Sequence, residues 1–247
     1  MKKLILVTVF LVFVASLIFA NATTSVATLT IEGYKLSEAP EEGTLRVYVY
    51  DTSSSDSTTI VADKVDITNY LSNYSSGFKD VFSVKIQTNL NKKITVSISV
   101  SPFISQDTTK SVIKTSYYLT KDEGSYTASS TTSDYYYGTY TTYYKYTASM
   151  NVSDSSFTNS SSGKTVGNSA STDSATVQIT QTISAKSGFR SDIINRSYSL
   201  KNETLDYIEK NTVDSMIYMQ MKLNTTTDKI TANVEYKAPV TITVSIQ

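Results

Sequence analysis

The chain of 247 residues has no cysteine, histidine or tryptophan, and only three prolines and eight glycines. Without cysteine no disulfide supports the fold and no lipid can be attached through a thiol. Stability must then come from apolar packing and sheet hydrogen bonds. Without histidine a serine nucleophile lacks its usual base, and the familiar zinc sites lack their ligands. The glycines are scattered, so no phosphate-cradling loop is present. Charge of one sign is missing as well: 22 basic and 22 acidic residues cancel and alternate along the chain. That leaves no basic surface for a nucleic acid. Acid pairs stand at Asp63 and Asp66 and at Glu41 and Glu42, the residue type of glycosidase chemistry. Asp51, Asp56 and Asp63 are the candidate calcium ligands, with no EF-hand spacing around them. Together these absences predict a protein that is not an enzyme and holds no cofactor and no metal.

Long apolar runs are also scarce. One spans Leu4 to Phe19, behind Lys2 and Lys3 and ahead of Ala20-Asn21-Ala22. A positive start, an apolar stretch and a small-x-small site make a signal peptide over residues 1–22, cleaved near Ala22. The run is shorter than the roughly 20 residues of a spanning helix. The expected mature protein starts near Thr23, lies outside the cell or in its envelope, and has no membrane span.

What is abundant is hydroxyl: serine and threonine make up roughly three residues in ten, far above ordinary usage. Threonine and tyrosine suit pleated, half-exposed strands, and serine clusters suit turns. Period-two alternation is the recurring pattern. Phe82, Val84, Ile86 and Leu90 share one face of their run; Ile94, Val96, Ile98 and Val100 share another, after an NLNKK hairpin. The same spacing places Val177, Ile179 and Ile183 together, then Ile217, Met219, Met221 and Leu223, then Ile230, Ala232, Val234 and Tyr236. A final strand sets Val240, Ile242, Val244 and Ile246 on one side, with Pro239 expected at its start or on an edge. Earlier strands are predicted at Val26–Tyr34, Leu45–Asp51, Thr59–Ala62 and Val112–Leu119. Short helices are predicted near Asp66, as cap of DITNYLSN, and after Asn202. Strands with one apolar face predict an all-β protein, an antiparallel β-sandwich of Ig-like or jelly-roll-like type, forming a single domain over 23–247.

Residues 123–134 and 153–175 are small, polar and almost without core formers, and they read as soft loops of an insertion at about 123–175. Between them lies SDYYYGTYTTYYKY, with seven tyrosines in 14 positions. Gly138-Thr139 is a Gly-X pair suited to a two-residue type II′ hairpin. It would set Tyr137 opposite Tyr140 and Asp134 opposite Tyr143. Tyr135, Tyr136, Tyr137, Tyr140, Tyr143, Tyr144 and Tyr146 would then line both faces of the hairpin. Cross-strand tyrosine contacts of about 0.2–1 kcal/mol each support such a hairpin without a ligand. The same rings are candidates for a glycan or partner surface, because tyrosine joins an apolar ring to a hydroxyl.

TTSVATLTIEGY, directly after the leader, and YKAPVTITVSIQ at the other end resemble secreted, cysteine-free fimbrial or filament subunits. The resemblance implies that an alternating segment such as Ala27, Leu29 and Ile31 is exchanged into a neighbouring subunit. The functional expectation is a cell-surface structural or filament subunit acting through assembly or adhesion, by self-association or with other surface proteins. The alternative is a β-sandwich module that binds a polysaccharide or another surface through Tyr135–Tyr146.

Overall fold

A computed structural model describes residues 26–36, 44–53, 64–68, 71–134, 138–192, 197–199, 212–224, 230–231 and 233–247. For 26–36, 71–73, 128–134, 138–143, 185–192 and 197–199 the description covers the backbone. The strands are β1 (Val26–Leu36), β2 (Leu45–Asp51), β3 (Lys64–Asp66), β4 (Lys79–Thr88), β5 (Ile94–Val100), β6 (Phe103–Ser105), β7 (Val112–Ile113) and β8 (Thr115–Asp122). They continue as β9 (Ser125–Asp134), β10 (Gly138–Val152), β11 (Lys164–Val166), β12 (Ala175–Asp192), β13 (Ser197–Ser199), β14 (Val213–Leu223) and β15 (Glu235–Ile246). One helix, α1 (Leu71–Ser76), lies among the described residues. The segments 1–22, Thr59–Ala62 and the helix expected after Asn202 lie outside them.

The strands form two sheets, an all-β sandwich-like arrangement as expected. The larger runs β3-β1-β15-β5-β12-β10-β9, with β13 on β12 and β6 and β7 on β15; the smaller runs β11-β8-β14-β4-β2. Alternation explains why they stack. Ile94, Val96, Ile98 and Val100 of β5, with Val240, Ile242 and Val244 of β15, are buried on one inner face. Phe82, Val84 and Ile86 of β4, with Ile217, Met219 and Met221 of β14, join the same core from the other sheet. Such burial contributes about 1.5–3 kcal/mol per large side chain.

Several expectations need correction. Residues NLNKK do not make a hairpin: β4 and β5 belong to different sheets, and the connection carries buried Leu90 between them. The described ladders are antiparallel as expected, with the one addition that β1 pairs parallel with β15. Pro239 lies inside β15, a strand with neighbours on both sides. Its missing N–H is tolerated because β6 pairs with Tyr236 and Lys237 while β5 resumes only at Val240. The ladder on that side skips the proline. Residues 230, 231, 233 and 234 are not strand, and Lys114 interrupts the strand predicted over Val112–Leu119. Asp66 ends β3 and its carboxylate accepts the Thr68 N–H at 2.9 Å, five residues ahead of α1.

The soft-loop reading of 123–134 also fails, because Ser125–Asp134 is strand β9, paired along its length with β10. Nor is 153–175 without core. Phe157, on a 3-10 turn whose cap Asp154 accepts the Ser156 N–H, is 0% exposed, and Val166 of β11 is buried too. One aromatic per loop is enough to seat a polar segment on a sandwich, and composition averages it away.

A second, small cluster holds Tyr146, Ala148, Ile183 and Val213, with Tyr126 and Tyr144 packed against it. Gln181 and Ser215 take the inward positions between it and the main core. Neither the Gln181 amide nor the Ser215 hydroxyl has a hydrogen-bond partner.

Candidate functional site

The tyrosine-rich hairpin forms, but in another register from the one expected. Asp134 stands opposite Gly138 and Ser133 opposite Thr139, so the Gly138-Thr139 pair lies within the ladder and is not the turn. Tyr146 consequently faces Tyr126, where the expected register would have put Thr131. The two rings stack with centroids 4.9 Å apart and planes 15° from parallel, and Tyr144 lies 6.4 Å from Tyr146. That stack is the physical reason for the register, since it packs half-buried Tyr126 on buried Tyr146, two rings that the Gly138-Thr139 turn would separate.

Gly124 makes the crossover from β8 into β9 that brings Tyr126 there. An added Cβ would lie 1.8 Å from the Asp214 carbonyl oxygen, so only glycine allows this approach of the two backbones. The Gly124 carbonyl accepts the Ala148 N–H at 2.8 Å. Beyond the start of β9, side chains continue the ladder: Glu123 accepts the Met150 N–H at 3.1 Å, and Lys121, paired with Glu123, donates to the Met150 carbonyl.

Of the seven hairpin tyrosines, Tyr146 is 4% exposed and belongs to the small core, with Tyr144 half-buried beside it. Tyr140 and Tyr143 are placed by backbone alone, opposite Thr132 and Ser129. Tyr135, Tyr136 and Tyr137 lie outside the described residues. Sequence reading missed Tyr126, whose single aromatic sits in a polar run. Burial first, then the neighbouring Tyr146 phenol, raises the Tyr126 hydroxyl above the ordinary tyrosine range, and that hydroxyl has no hydrogen-bond partner. It stays a neutral phenol.

Ala27, Leu29 and Ile31 lie in β1, in register with Tyr236, Ala238 and Val240 of the same chain. Among the described residues no three acids converge as metal ligands. Asp51 instead accepts the N–H and hydroxyl of Ser53 at 2.8 and 2.6 Å; Asp56, Asp63, Glu41 and Glu42 lie outside the described residues.

The sheet edges differ in kind. β3 and β11 are three residues each, and β2 carries Arg46 and Asp51. β9 is ten residues long, pairs among the described residues only with β10, and has one charged residue, Asp134, at its end. Short strands and charges blunt an edge against further pairing; β9 has neither along its length. No described helix is long and apolar enough to cross a membrane. No protein-family model, no curated protein and no solved structure matches this chain.

Proposed function

We propose that this chain is an exported, non-enzymatic structural subunit that works at the cell surface through assembly. The observation that carries the reading is the edge of β9: ten residues, hydroxyl-rich, without proline or lysine, ending the larger sheet. Such an edge accepts a further strand through backbone hydrogen bonds, and Ser/Thr pairs suit the contact. The lysine-led apolar leader supports export. The lack of histidine and cysteine supports a role without catalysis.

The test is light scattering and electron microscopy on the purified chain, wild type and Thr127→Lys/Thr131→Lys. Lysines on the edge should abolish oligomers without lowering the thermal midpoint. Because the chain has no cysteine, single Ser129→Cys and Thr131→Cys variants should cross-link between copies, and a Tyr48→Cys control on β2 should not. A wild type that is monomeric at every concentration refutes assembly. Oligomers that survive the lysines but vanish when Val26–Leu36 is deleted move the contact to strand exchange by Ala27, Leu29 and Ile31.

A further inference from the structure

The two outer faces of the sandwich are chemically different. On the larger sheet the outward positions are Thr95, Ser97 and Ser99 on β5, Thr176, Gln178, Thr180 and Thr182 on β12, and Thr241, Thr243 and Ser245 on β15. These described positions of β5, β12 and β15 are rich in hydroxyls and include no aromatic ring.

The smaller sheet is the opposite. On β2, Val47 and Val49 are buried, so Tyr48 and Tyr50 face outward, 6.3 Å apart and half-buried. Register sets Tyr50 in one row with Ser83 of β4 and Tyr218 of β14. Ser83 is only 1% exposed on this outer face, because its neighbours on both sides are tyrosines. In an adjoining row Tyr118 of β8 lies beside Gln220 and packs on Phe78 with centroids 5.6 Å apart. None of these rings is needed for the core, which the inward residues of the same strands supply.

The polar groups around the rings are balanced in charge. Lys85, in register between Tyr48 and Met216, pairs with Asp214 at 2.7 Å, and Gln87 donates to the same carboxylate at 3.0 Å. Gln220 donates to Asp80 at 2.9 Å. Lys85 and Asp214 neutralise one another, and the other outward charges on these strands, Arg46 and Lys222 against Asp80 and Asp122, are equal in number, so the face carries no net charge to attract an acidic or basic partner. Each amide and carboxylate still has lone pairs for incoming hydroxyls. A protein interface would be depleted of charge at its centre; here the ion pair stands directly beside the tyrosine row. What suits half-exposed rings among neutralised amides and carboxylates is an uncharged polyhydroxylated chain. Its C–H faces stack on tyrosine and its hydroxyls reach the polar groups.

We propose that the outer face of the five-stranded sheet is a binding platform for a neutral polysaccharide, running across the strands over Tyr50 and Tyr218. Those residues are two strands apart, about 9.5 Å at the usual strand spacing, a separation that two consecutive pyranose units span. The rings are half-exposed on a sheet face, which suits an extended chain more than a small sugar in a pocket. This site is independent of the β9 edge and of the hairpin tyrosines.

The experiment is affinity electrophoresis and calorimetry of the purified chain against cellulose, xylan, chitin, mannan and β-1,3-glucan, with dextran sulfate as the acidic control. Retention on at least one neutral polymer, insensitive to salt, is expected. Tyr50→Ala and Tyr218→Ala should each weaken it about tenfold, Tyr218→Phe much less, and Thr180→Ala on the other face not at all. Circular dichroism on each variant separates lost binding from lost fold. Failure to bind any neutral polymer overturns the proposal, as does binding that the tyrosine substitutions leave unchanged. Retention by dextran sulfate alone, abolished by salt, replaces it with a charge effect. A dimer that disappears in Tyr50→Ala replaces it with a second copy of the chain.

Discussion

Replacing Gly124 by alanine should be among the most damaging single-methyl changes in the molecule. Its Cβ would sit 1.8 Å from the Asp214 carbonyl oxygen, 2.6 Å from that carbonyl carbon and 2.9 Å from Val213 Cγ1. The nearest atoms are backbone of β14, so no side chain can swing aside. The β8–β9 crossover must retreat from β14 by more than an ångström to reach ordinary contact. Overpacking of this kind costs about 1–3 kcal/mol. The same retreat strains the Ala148 N–H to Gly124 carbonyl bond of 2.8 Å, worth about 0.5–1.5 kcal/mol. The expected loss is about 2–4 kcal/mol, or roughly 5–15 °C in Tm for a chain of this length. Urea unfolding followed by far-ultraviolet circular dichroism measures it. The near-ultraviolet signal, which comes from tyrosine and phenylalanine because tryptophan is absent, should also fall as the Tyr126–Tyr146 stack loosens. Gly77→Ala is the control, since nothing lies within 4 Å of the added methyl. A Gly124→Ala protein within about 0.5 kcal/mol of wild type, the range of neutral surface changes, would refute this account of the crossover.

Gln181→Met should raise stability by about 1–3 kcal/mol in urea unfolding, because it removes a fully buried amide with no hydrogen-bond partner and nearly keeps its volume. Tyr126→Phe should be neutral or stabilising, whereas Tyr117→Phe should cost about 1 kcal/mol, because only the Tyr117 hydroxyl has a partner, the Ser101 carbonyl at 2.8 Å; paired thermal melts decide. Asp154 is held at about 2 by the Ser156 hydroxyl, by Lys164 at 2.9 Å and by the Ser156 N–H. A carboxylate lowered on folding stabilises fully above its ordinary 3.8 and loses that contribution as the pH falls toward about 2. Asp154→Asn should therefore lower Tm at neutral pH, with the gap from wild type closing over that acid range.

Local sequence determined the strands themselves. Ile94–Val100 and Leu45–Asp51 follow from alternation alone, because side-chain direction in a strand repeats every two residues whatever the neighbour is. The outward parity of Tyr48, Tyr50 and Tyr218 was equally legible. That an apolar face must be covered by another such face also settled the sandwich. Only the tertiary structure decided which strands adjoin. Backbone ladders are nearly indifferent to sequence, so β4 and β5 could part into different sheets and β1 could pair parallel with β15. The hairpin register turned on Tyr126, 20 residues from Tyr146 in the chain, and on Gly124 passing against β14. Likewise, Tyr50 and Tyr218 share a row only because β4 lies between their strands. A residue's face is a local property of the backbone, while its neighbours are chosen by packing between segments far apart in the chain.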